Sequence, residues 1–186
     1  MSVKNGIILK LFALLLIPIT LFSGCDKMKT QLQQTFDTYS SMLEEGRVDE
    51  LKLKIYYISE EVFFCAPLSV DKLIHSSYTQ MIVVEGEELK SHIDLLKDLK
   101  AEALTPVREE SYLDARLCYI FETMDGEKVL EVASYGSPKG NKNLKGKHDV
   151  FVNGIPVEHN DILYEVIKPF CSDDIWQKIV TDFQLE

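Results

Sequence analysis

Basic residues are in short supply: 20 Lys and Arg stand against 30 Asp and Glu, for a formal net charge of −10. A surface that grips phosphates needs clustered Lys and Arg, so this balance argues against nucleic acid and anionic headgroups as general partners. Proline is scarce too, with six in 186 residues, while 46% of the chain is hydrophobic. The apolar depletion that marks disorder is therefore missing, and the length suits a single folded domain. Closely spaced ligand pairs such as CxxC or HxxxH do not occur, and His75, His92, His148 and His159 are scattered, so the sequence announces no metal centre. A GxSxG nucleophile elbow and a local Cys and His signature are also lacking. No cofactor is implied, and no residue is nominated as catalytic.

The strongest signal lies at the start. Lys4 and Lys10 stand without an acid among residues 1 to 10, and residues 11 to 22 (LFALLLIPITLF) are apolar except for Thr20. Twelve residues rise about 18 Å as a helix, short of the roughly 30 Å hydrocarbon core of a bilayer. The layout is that of an export signal rather than a spanning helix. The run closes in Leu21-Phe22-Ser23-Gly24-Cys25, which resembles the lipobox of bacterial lipoproteins, with small residues before the cysteine and Phe22 where an aliphatic is usual. The resemblance implies cleavage after Gly24, acylation of Cys25, and tethering on the extracytoplasmic face of the cell membrane. Two or three acyl chains hold a soluble domain stably, since each buried methylene contributes about 0.8 kcal/mol. In a Gram-negative host, Asp26 resembles the residue that retains lipoproteins on the inner membrane.

On this reading residues 1–24 are a signal peptide and residues 25–186 form one extracytoplasmic domain, opened by an amphipathic helix over 26–46. Lys4 and Lys10 leave with the signal, so the domain carries a charge near −12. Cys65, Cys118 and Cys171 stay behind, an odd number that permits at most one bridge. Three reduced thiols are the first expectation; if a bridge forms, Cys65 with Cys171 is the pair, because both follow a Phe at an element boundary.

Apolar residues at 28, 32, 36, 39 and 43 make a helical stripe that Gly46 stops. Leu51, Leu53, Ile55 and Tyr57 alternate with Lys52, Lys54 and Tyr56, the period of a strand. Ser69 caps a short helix reaching about Ser77, residues 78–84 read as a strand, and a helix is expected from Glu87 to about Leu99. Runs at 115–123 and 127–135 flank Asp125-Gly126, and 149–152 and 155–158 flank Asn153-Gly154, both hairpin signals. Pro156 makes its strand an edge. Two helices close the chain, over 161–168 and 173–183, separated by Pro169. Beta-alpha-beta alternation is absent, so the class is α+β: a mostly antiparallel sheet of five or six strands with helices on one face.

Lys139, Lys142, Lys145 and Lys147 form a basic stretch in an otherwise acidic domain, a candidate contact for a membrane surface or an acidic partner. Its glycines do not meet the phosphate-loop spacing. Glu85 with Glu87 and Glu88, and Glu109 with Glu110, offer acid to a basic partner. The mature portion is similar in general make-up to small lipoprotein domains of Firmicutes, a likeness carried by no single motif and implying no activity. The leading expectation is a non-enzymatic binding module for a protein or envelope component; an immunity or inhibitor protein facing a basic toxin is its sharper form. The alternative is an envelope hydrolase with catalytic residues assembled from distant segments.

Overall fold

Alternating side chains place Leu51, Leu53, Ile55 and Tyr57 on one face of a strand, β1 (Leu51–Tyr57), and Lys52, Lys54 and Tyr56 on the other. The computed structural model describes residues 26–107, 114–136 and 149–185. In it β1 pairs antiparallel with β2 (Gln80–Glu85) on one side and β3 (Ala115–Thr123) on the other. β4 (Lys128–Tyr135), β5 (Asp149–Val152) and β6 (Ile155–Val157) continue the sheet, giving the order β2-β1-β3-β4-β5-β6, antiparallel throughout. The protein is thus α+β, as its patterning predicts. Both expected hairpins form. At the second, Asn153 (φ 45°) and Gly154 (φ 79°) take the paired positive angles of the tight turn that matches strand twist.

Helix α1 covers residues 26–44 and packs, through Leu32, Phe36, Tyr39, Met42 and Leu43, on the face that carries Leu53, Tyr119, Phe121 and Val132. The stripe that marked it as amphipathic is therefore a core face and not the seam of a free stalk. Tyr39 donates to the Leu96 carbonyl at 3.0 Å, and its ring lies 4.9 Å from that of Phe121. α2 (Val70–His75) starts at Ser69, whose hydroxyl accepts from the Lys72 N–H. The single helix expected over 87–99 is two, α3 (Glu87–Lys90) and α4 (Ile93–Asp98). Ser91 turns its hydroxyl back onto the Glu88 carbonyl, and His92 leaves helical angles to set its ring edge-on against Phe170 at 5.1 Å. α5 (Ile162–Glu165) is shorter than predicted, because a 3₁₀ turn over Lys168–Phe170 takes up Pro169. α6 (Asp173–Phe183) begins at Ser172, which caps Ile175 N–H, and turns Ile179 and Phe183 inward.

α1, α3, α4, α5 and α6 all contribute to the large core on the first face. A smaller core occupies part of the second, where residues 58–70 and α2 bring Ile58, Leu68 and Leu73 against Tyr56, Cys118, Ala133 and Tyr135. The helical cover is thus concentrated on one face, with α2 alone on the other. Among the described residues no helix is long and apolar enough to cross a membrane.

Candidate functional site

Lys52 and Lys54 point away from the main core, so the second face of the sheet opens as a surface of mixed character. The register aligns Glu85, Lys52 and Glu122 in one row, then Val83, Lys54, Ile120 and Glu131, then Met81, Tyr56, Cys118 and Ala133. Ion pairs lie within and between the rows: Lys52 to Glu85 at 3.6 Å within one, Lys54 to Glu122 at 2.6 Å and Lys128 to Glu131 at 3.0 Å between two. The bond from Glu122 raises the Lys54 pKa and keeps that ammonium charged. Among the described residues, 58–70 and α2 cover this face from its Tyr56 end as far as Ile120. At its β2 border stand Tyr78 (65% exposed), Met81 (59%) and Val83 (43%). Exposed apolar side chains at the β2 border thus stand beside paired charges.

The wall that bounds this face is held by a polar network the sequence did not announce. Arg116, only 6% exposed, donates to Asp114 Oδ2 through Nε (3.0 Å) and Nη2 (2.7 Å), and to the carbonyls of Val62 (2.8 Å) and Ser59 (3.3 Å). Asp114 also accepts from the Leu68 N–H at 2.9 Å. Nearby, buried Asp182 accepts from the Tyr57 hydroxyl at 2.6 Å and the Glu60 N–H at 2.9 Å. The 58–68 segment is thereby fixed at both ends by charged groups with satisfied geometry. Two signals were readable in the sequence: Arg116 interrupts an apolar strand run, and Asp182 occupies the inward stripe of α6 beside Phe183.

The residues singled out from sequence are not brought together. Cys65 is exposed on the 58–70 segment, Cys118 is buried under α2, and Cys171 packs against the first-face core; all three are free thiols. Burial pushes the Cys171 thiol up to about 11 and the Cys118 thiol higher. His75 lies beside Asp71, His92 on Phe170, and His159 within 3.3 Å of Asp161, each on a different part of the molecule. Glu85, Glu87 and Glu88 line the end of β2 and the start of α3. Cys25, Glu109, Glu110, His148, Lys139, Lys142, Lys145 and Lys147 lie outside the described residues. Among the described residues no group of three or more His, Cys, Asp or Glu is placed to hold a metal ion. A cleft of about 310 Å³ runs between α1 and residues 97–102, lined by Tyr39, Ser40, Glu44, Lys97, Lys100 and Glu102. Its size is at the lower limit for small-molecule sites.

No family model, curated protein or solved structure matches this chain.

Proposed function

We propose that this chain is a lipoprotein, acylated at Cys25 and tethered to the extracytoplasmic face of the cell membrane, whose folded domain binds a protein or envelope component through the open second face of its sheet. The observation that carries the binding reading is the border of Tyr78, Met81 and Val83 beside a charge-paired strand surface that no helix covers among the described residues. A broad sheet face suits a macromolecular partner, whereas an envelope hydrolase calls for titratable groups converging in a deep cleft. The lipobox-like run before Cys25 supports the tether. Helix α1 is already under way at residue 26, the first described residue, and Leu32 is buried. On this reading the tether is about 10 Å long at 1.5 Å per residue, and the domain rides close to the bilayer. The acid excess favours a basic partner, which would include a cationic toxin met outside the membrane.

Two measurements test this. Cells fed labelled palmitate should incorporate it into the wild-type chain and lose that label, together with membrane fractionation, in Cys25→Ser; a cytosolic wild-type chain ending in intact Met1 would overturn the tether. A photoreactive side chain at Lys54 or Val83 should yield one discrete adduct in cells, and the same group at Gln33 on α1 should not. Adducts from Gln33 alone would move the binding surface to the α1 cleft.

A further inference from the structure

The two borders of the sheet are not equivalent. At β6 the border is occupied: Val107 N–H bonds to the Pro156 carbonyl at 2.9 Å, Glu158 N–H to the Thr105 carbonyl at 2.8 Å, and Pro106 bridges to Val157. Pro156 removes a further donor. At β2 the chain carries six consecutive residues, Gln80–Glu85, paired to β1 on one side and, among the described residues, to no strand on the other. Such a border leaves a row of backbone donors and acceptors ready for another strand. The devices that usually blunt it are missing here, since residues 80–84 hold no charge and no proline. Three of the five large apolar side chains exposed on the described molecule, Tyr78, Met81 and Val83, lie on β2 or just before it.

We infer that β2 pairs antiparallel with β2 of a second copy of this chain, joining two sheets into one of twelve strands. The sequence of β2 is suited to meeting itself. A twofold axis perpendicular to the sheet keeps each side chain on its own face, so Met81 and Val83, which share the second face, must meet second-face residues of the other copy. With the axis at Ile82, Met81 stands opposite Val83 of the second copy and Val83 opposite Met81. Gln80 then faces Val84, and Glu85 faces Thr79. Apolar pairs fill the centre, and no like charges stand directly opposite, a condition that an acidic chain does not meet by default. The pairing covers Met81, Val83 and Tyr78 and makes the open second faces of both copies continuous.

The test uses the full chain in detergent micelles, with protein mass measured by light scattering. The wild type should have twice the mass of one chain. Met81→Lys with Val83→Lys sets lysine against lysine at two positions, and Met81→Glu with Val83→Glu does the same with acid, so each variant should run as a single chain while its circular dichroism stays unchanged. An equal mixture of the two should return to twice the mass, because lysine now meets glutamate. A wild type of single-chain mass, a lysine variant that keeps the doubled mass, or a mixture that stays single would each overturn the pairing. A single-chain result would leave the binding role of the second face standing, since that face is present in each copy.

Discussion

The phenol of Tyr57 donates a 2.6 Å hydrogen bond to Asp182, joining the central strand to the last helix across 125 positions of sequence. Asp182 also holds the Glu60 N–H at 2.9 Å. Replacing Asp182 by alanine strands two donors in a buried place, where each unsatisfied group costs about 1–3 kcal/mol. Asp182→Ala should lower unfolding free energy by about 3 kcal/mol in urea, and Tyr57→Phe by about 1–2 kcal/mol. The double variant should fall short of the sum by at least about 1 kcal/mol; strict additivity would mean the two groups do not cooperate.

Arg116 is the tie that holds the 58–68 segment to β3, through Asp114 and two carbonyls. Lysine keeps the charge but not the planar fork. Arg116→Lys should destabilise by about 2 kcal/mol, and Arg116→Ala by about 3–5 kcal/mol, because Asp114 is left uncompensated. Limited proteolysis reads the local effect. Cleavage should rise between Glu60 and Leu68 well before the rest of the domain is lost, and equal loss everywhere would show that the tie is not local.

Phe36 is 1% exposed on the inner face of α1. If α1 belongs to the core, Phe36→Ala should cost about 3–5 kcal/mol and lower the single melting transition. A helix that merely spaced the domain from a membrane would show no such cost.

Much of this arrangement could be read before any coordinates. Strand β1, the two hairpins, the Ser69 and Ser172 caps and helix α6 follow from local rules, because period, turn residues and capping hydroxyls act within a few positions. The break at His92 did not follow, since its cause is Phe170, seventy-eight positions on. The same holds for the bonds from Arg116 to the Ser59 and Val62 carbonyls, from the Leu68 N–H to Asp114, and from Tyr57 and the Glu60 N–H to Asp182, all long-range. The second face was half legible: the alternation around Lys52 and Lys54 marks a wet side, but the exposure of Tyr78, Met81 and Val83 depends on how the 58–70 segment and α2 fold over the Tyr56 end of the sheet.

Burial raises the pKa of Tyr39, Tyr56, Tyr57, Tyr119, Tyr135 and Tyr164, taking Tyr135 up to about 12. The folded chain therefore holds these protons at pH values where the unfolded chain has released them. Stability is complete below the ordinary phenol value near 10 and falls as pH rises beyond it. Absorbance at 295 nm should show these six phenols ionising together with loss of circular dichroism above pH 10, and gradual ionisation of a folded chain would contradict their burial.

A brief iodoacetamide pulse at neutral pH, read by peptide mass, should label Cys65 first, because it is exposed. Cys171, with its thiol pushed up to about 11, should react slowly, and Cys118 only on denaturation. Comparable labelling of Cys65 and Cys118 would place α2 away from the sheet.

Thr105, Pro106 and Val107 have a consequence for how far assembly can go. With that margin spoken for, β2 is the one free margin among the described residues, so the inferred pairing leaves none for a third copy. On that inference growth stops at a pair instead of running on into fibres. Loosening the stretch from Thr105 to Val107 should turn a self-limiting contact into an open-ended one.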